Sequence, residues 1–301
     1  MDNLADNFRP PEALSQSEDD RKKKTPHKKS DQSPKRPPLT QVPTHNLQER
    51  EIFLDDSINK TSVKSAILQL RALARQNKEP ITLHLNSPGG SVYDGLALYD
   101  TMRELMNDGI IIKTKAYGLA ASMGSFLLSA GTPGYRSILP TSRDMTHQPS
   151  RVLNGSSKEE EIQNAAKSSA QTRRRMEMHY LHFMGLDYKD EQAQALLKEY
   201  MSPDVYLNAF MAKKLGLVDH IAMVDANNKP DGSLSQEFLK RSIEIDAYLN
   251  EVEYDEIDTS PGSTDPLRHV KKLVEYREQY LAVQTQKAVD HSNDNPTPAC
   301  P

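Results

Sequence analysis

Three short strings in this chain hold the residue types that acyl-transfer chemistry uses: LNSPGGS (85–91), GLAASMGSFLLSAG (118–131) and DMTHQPS (144–150). In the first, Pro88 fixes the entry of a turn, and two glycines leave backbone N–H groups open to a ligand, so the loop can present donors to a developing oxyanion. It lacks the lysine and spacing of a phosphate loop. In the second, small residues at 118, 120, 121 and 124 surround Ser122, at the point where a strand is expected to give way to a helix. A serine at such a junction can expose its hydroxyl while neighbouring amides face the reacting centre, although the GxSxG pattern itself is missing. The third string offers His147, which needs only hydrogen-bond reach of Ser122 to act as a general base. Each string also has a plain structural reading: a tight turn, a small-residue packing seam with a helix-capping serine, and one histidine among nine. A third member could come from any of 42 acidic residues, so spacing does not choose it.

The elements that would position these residues are apolar runs alternating with helical patterns: EIFL, SVKSAILQLRALARQ, ITLHL, YDGLALYDTMREL, IIIKTKAYG, MGSFLLSAG and RSILP. This rhythm predicts an α/β domain with a mostly parallel sheet. Val63, Ile67, Leu70 and Leu73 recur at three- and four-residue steps and mark one helix face. Residues 156–183 predict a long, highly charged helix, too polar for full burial and therefore expected to protrude or to lie at a subunit contact. His179 and His182 share a face of that helix, but no third ligand accompanies them and no metal site is expected.

Composition bounds the ends. The 301 residues are 36% hydrophobic with 19 prolines, so part of the chain cannot be core. Residues 1–45 are expected to be a disordered arm, with eight basic residues and one acidic residue between Arg21 and Arg36. The net charge of -4 does not single out nucleic acid, which is not expected as a partner. The lone Cys300 cannot form an intrachain disulfide, and neither a secretory h-region nor a membrane span is apparent, which predicts a cytoplasmic protein with no membrane partner. Beyond a domain at 46–222, residues 223–262 read as a linker with a short helix near 236–249 and an acidic run at 244–258. Residues 263–289 read as an amphipathic helix opened by Asp265 and Pro266, with Leu267, Val270, Leu273, Val274, Leu281 and Val283 as its stripe, followed by a loose tail at 290–301.

Taken together and in this order, NSPGGS, YDTM, AASMG followed by FLLSAG, and HQP, with 25 residues from Ser122 to His147, closely resemble the ClpP family, the proteolytic subunits of the Clp protease. REIFL (50–54) and GLVDHI (216–221) extend the resemblance from about residue 51 to 221. It implies a ClpP/crotonase-like spiral of βαβ units and a serine endopeptidase. It makes Ser122 the nucleophile, His147 the general base and Asp204, counted back from Gly216, the residue that orients the imidazole. Asp187, Asp190 and Glu199 lie close to Asp204 in sequence. The resemblance further assigns the oxyanion donors to the backbone N–H groups of Gly90 and Met123, and substrate backbone contacts to Val92. No cofactor is implied. The implied partners are polypeptide substrates, further copies of the chain in a heptamer-like ring, and a Clp-type AAA+ unfoldase.

The chain departs from the family's usual pattern in places. Gly155 is the only glycine soon after HQP, Pro203 stands where an arginine usually precedes the aspartate, and 43–50 is short for the axial loop and first helix. These departures put a stacked double ring in question and resemble divergent members of phage and plasmid genomes, some of which process capsid proteins. A catalytically silent scaffold subunit of the same fold is the alternative, weakened by the presence of both Ser122 and His147. An acyl-CoA enzyme of the wider crotonase fold is a third reading.

Overall fold

The computed structural model describes residues 46–149, 159–223 and 234–294. The expected arm at 1–45, the segment 150–158 with Gly155, the loop 224–233 and the end 295–301 lie outside the described residues.

Strands β1 (Glu51–Leu54), β2 (Ile81–Ser87), β3 (Ile112–Ala121), β4 (Arg136–Ile138) and β7 (His220–Ile221) neighbour one another in that order, all parallel. Helices α1 (Lys60–Gln76), α2 (Val92–Asn107) and α3 (Met123–Ser129) make the crossovers that parallel pairing requires. Local chemistry starts α1. The Asn59 side chain accepts from the amides of Thr61 and Ser62, and the Ser62 hydroxyl accepts from the Asn59 amide, a complete capping box. The predicted stripe of α1 is buried at Val63, Ala66, Leu70 and Leu73, with Ile67 partly buried against the same core.

The feature that builds the site is a fork in β3. Its first half pairs with β4 at Thr114–Ala116, and its last residues, Leu119–Ala121, pair instead with β5 (Arg143–Thr146). Gly118 sits at the fork with φ +73°, and a Cβ there would lie 2.7 Å from Asn86 Oδ1, so a side chain could not make this bend. β5 also carries β6 (Val205–Leu207) antiparallel, with Thr146 opposite Val205. The single sheet of the described residues therefore branches at β3, with β4 and β7 on one path and β5 and β6 on the other, within the mixed α/β fold that was expected.

Helix α4 (Glu159–Phe183) matches the long charged helix, but it does not simply protrude: Met176, Tyr180 and Leu181 in its last turns are 0–4% exposed. His179 sits 3.2 Å from the Tyr99 hydroxyl and stacks with Phe183, packing among rings. Helices α5 (Glu191–Tyr200) and α6 (Ala209–Lys214) lead to β7. The residues expected as a linker contain a longer helix, α7 (Leu234–Asp255), which takes in most of the acidic run. It is docked onto the β5–β6 region. Asn250 donates to the Pro140 carbonyl, Asn208 donates to the Asn250 carbonyl, and Arg143 makes a two-pronged ion pair with Glu253 at 2.7 and 2.9 Å.

The last helix, α8 (Arg268–Asp294), buries Val270, Leu273 and Val274 at 0–1% exposure, whereas Val283 of its expected stripe is 51% exposed. Arg277 ties it down by donating to the carbonyls of Met184 and Lys214. Its guanidinium lies against Gly216, where a Cβ would come within 2.5 Å. The glycine of GLVDHI thus makes room for the C-terminal helix, so α8 completes the core.

Candidate active site

Ser122 stands between β3 and α3 with φ 53° and ψ -116°, a backbone conformation that a side-chain-bearing residue rarely adopts. Its amide donates to the Met145 carbonyl at 2.8 Å, and its carbonyl accepts from Phe126 at 3.1 Å. Helix α3 is buried throughout, so the junction cannot relax without moving core. Gly89 allows this geometry. A methyl on it would lie 2.6 Å from both the Ala121 carbonyl oxygen and Ser122 Cβ. The Ser122 hydroxyl makes no helix cap; it meets His147 Nε2 at 2.9 Å.

His147 follows β5 directly, and the antiparallel register of β5 on β6 brings Asp204, one residue before β6, to its other ring nitrogen, with Nδ1 and Asp204 Oδ1 3.1 Å apart. A carboxylate can only accept, so Nδ1 carries the proton and the neutral imidazole presents the Nε2 lone pair to Ser122 Oγ. The Asp204 side chain is 66% exposed and that of His147 23%, so water screens their attraction and the contact acts chiefly by fixing the tautomer. The other acids near Asp204 in sequence are engaged elsewhere. Asp190 caps α5 and accepts from the Tyr276 hydroxyl, Glu199 pairs with His269, and Asp187 accepts from the Lys189 amide.

The glycine loop runs beside this group. Ile58 donates to the Gly89 carbonyl at 2.8 Å, and Ser91 donates to the Ile58 carbonyl at 2.7 Å. That parallel bridge turns the Gly90 N–H away from Ile58. Met123 is the first residue of α3, where the amide has no intrahelical acceptor. Val92 opens α2 just past the loop and is partly buried.

The sequence that builds this site is similar to known proteins. Residues 38–225 match the Clp protease family. The chain belongs to that family. It is 39% identical over 192 residues to the ATP-dependent Clp protease proteolytic subunit 1 of Streptomyces coelicolor, covering 64% of this chain and 82% of the relative. It is 39% identical over 176 residues to proteolytic subunit 2 of Corynebacterium efficiens, with coverage of 58% and 83%. The proteolytic subunit of Bdellovibrio bacteriovorus is 38% identical over 179 residues, with coverage of 58% and 79%. The chain is thus a Clp-type serine protease by family, with its last two helices beyond the matched region.

The sequence reading missed a buried polar layer behind α3. Ser125, Asp144, Thr146, Tyr180 and Tyr200 are all within 1% of complete burial. The available signal was the polar alternation of RDMT beside the apolar SILP, which turns Asp144 and Thr146 to one face of a strand.

Proposed function

We propose that this Clp-type protease cleaves peptide bonds with Ser122 as nucleophile, His147 as general base and Asp204 as the residue that orients the imidazole. The observation that carries the reading is His147, which lies 2.9 Å from Ser122 Oγ through one ring nitrogen and 3.1 Å from Asp204 through the other. Ser122 Oγ attacks the peptide carbonyl as its proton passes to Nε2. The carbonyl oxygen takes up negative charge opposite the Gly90 and Met123 amides, a pair of donors each worth roughly 3 kcal/mol or more of transition-state stabilisation. The imidazolium then returns its proton to the leaving amine, and the acyl-serine is hydrolysed by a water activated in the same way.

Val92 and the backbone of the glycine loop would pair with the substrate main chain, a mode of binding that favours extended segments over particular side chains. The relatives named above are proteolytic subunits of ATP-dependent proteases. By that likeness the chain works as an oligomer that encloses its sites and receives substrate from a Clp-type ATPase.

The test is covalent labelling of the full chain with a fluorophosphonate, read by intact mass and peptide mapping, beside Ser122→Ala and His147→Ala. The expected result is one adduct per chain at Ser122, absent in both variants. A folded chain that takes up no probe at Ser122 would refute the assignment.

A further inference from the structure

A carboxylic acid that this mechanism does not use lies next to the Ser122 anchor. Asp144 is on β5, wholly buried, immediately before the Met145 carbonyl that accepts the Ser122 amide and three residues before His147. Strand alternation turns Asp144 and Thr146 to the same face. What meets them there comes from three helices: Ser125 from α3, Tyr180 from α4 and Tyr200 from α5. The Tyr180 hydroxyl donates to Ser125 Oγ at 3.4 Å, and the Thr146 hydroxyl donates to that of Tyr200. The residues in register on the flanking strands are Ala120 and Leu207, both apolar.

The titratable groups facing Asp144 are therefore the two tyrosines. Burial, and then Asp144 itself, hold both well above the ordinary phenol range. Among the described residues no cation offsets the burial of Asp144, and neither of its oxygens has a hydrogen-bond partner of ordinary geometry. A charge in such a place is strongly disfavoured. Burial pushes the carboxyl up to about 7, with the facing Ser125 hydroxyl opposing only in part.

We propose that Asp144 is a positioning residue that keeps Ser122 and His147 aligned only while it holds its proton. The inference rests on the Ser122–His147 reading given above. A neutral carboxyl can donate to one of the three facing hydroxyls and accept from another, closing the layer between β5 and α3. Ser125 is two residues beyond Met123 in α3, so the same layer fixes one oxyanion donor. Once ionised, the carboxylate needs more donors than the Ser125 hydroxyl supplies, and β5 must shift against α3 to admit them. The Met145 carbonyl and His147 would move with β5, loosening the serine backbone and its base together.

The experiment measures the rate of fluorophosphonate labelling of Ser122 in the full chain from pH 5.5 to 9, for the wild type, Asp144→Asn and Asp144→Val. Asparagine keeps the shape and the hydrogen-bonding capacity but cannot ionise. In the wild type the rate is expected to rise with pH at first, as a general-base step does, and then to fall by about threefold or more above neutral pH. Asp144→Asn should lack the fall, and Asp144→Val should lack it too, at a lower rate throughout. The same fall in Asp144→Asn as in the wild type would overturn the proposal while leaving Ser122 as nucleophile. A wild-type rate that climbs to a plateau through pH 9 would overturn it whether or not either variant folds. No labelling of Ser122 at any pH would remove both readings.

Discussion

Burial of Asp144 makes a prediction about stability that is independent of catalysis. Its carboxyl is raised from 3.8 to about 7 in the folded chain by burial, and it returns to the ordinary range on unfolding. Between those two values the folded state holds a proton that the unfolded state has lost, so this group's contribution to stability falls as pH rises through that window and is level above it. At about 1.4 kcal/mol per pH unit, the penalty is roughly 2 kcal/mol at pH 5 and roughly 4 kcal/mol by pH 8. Asp144→Asn removes the ionisation, and every other titrating group is common to both proteins and cancels in their difference. Urea unfolding of the full chain at pH 5, 6, 7 and 8 would measure it, followed by far-ultraviolet circular dichroism because the chain has no tryptophan. The free-energy difference, variant minus wild type, should grow by about 2–3 kcal/mol across that range in favour of asparagine. A difference that stays constant within about 0.5 kcal/mol would mean that Asp144 is solvated or paired, and the reasoning about the buried layer would fail.

Two further substitutions test the packing around the site. Gly89→Ala places a Cβ at φ +90° and 2.6 Å from Ser122 Cβ; it should destabilise by roughly 1–3 kcal/mol and slow labelling of Ser122 more than tenfold, measured by thermal unfolding and by probe kinetics. Leu273→Ala in α8 removes a side chain with no exposed surface and should cost about 3–5 kcal/mol in urea unfolding; a loss below about 1 kcal/mol would mean that α8 is not part of the cooperative core.

What the sequence revealed followed from strong local signals. The alternating apolar runs marked the parallel strands because β2 buries Ile81, Leu83, Leu85 and Ser87 on one face. The double glycine marked the serine junction because a Cβ on Gly89 would meet the Ala121 carbonyl and Ser122, and one on Gly90 the Ile58 carbonyl. Strands β5 and β6 were harder to see: they are four and three residues long, and Arg143, Asp144 and Thr146 do not advertise a strand. Spacing could not select Asp204 from the acidic residues because a cross-strand register brings it to His147. The acidic run at 244–258 suggested a linker because charge is usually solvated, yet α7 turns Asn250 inward and sends Glu253 to Arg143. Pairings of this kind, more than a hundred residues apart, leave no periodic trace.

β5 explains why the site forms where it does. Arg143 leaves one face to hold α7 through Glu253, and Asp144 turns the other way into the polar layer under α3. The Met145 carbonyl fixes the Ser122 amide, and Thr146 sets the register with Val205 that brings Asp204 alongside His147. Ser122, His147 and Asp204 are thus all referred to one short strand. Positive φ at Ser122 would relax if the Met145 carbonyl drew back, and the His147–Ser122 contact would lengthen by the same movement. A strand held at its edges by β3 and β6 and on one face by a buried acid is rigid only while every one of these contacts is made. Perturbations at Asp144 should therefore reach the chemistry more strongly than equal perturbations at the exposed Arg143–Glu253 pair, whose screened attraction is worth about 1 kcal/mol or less.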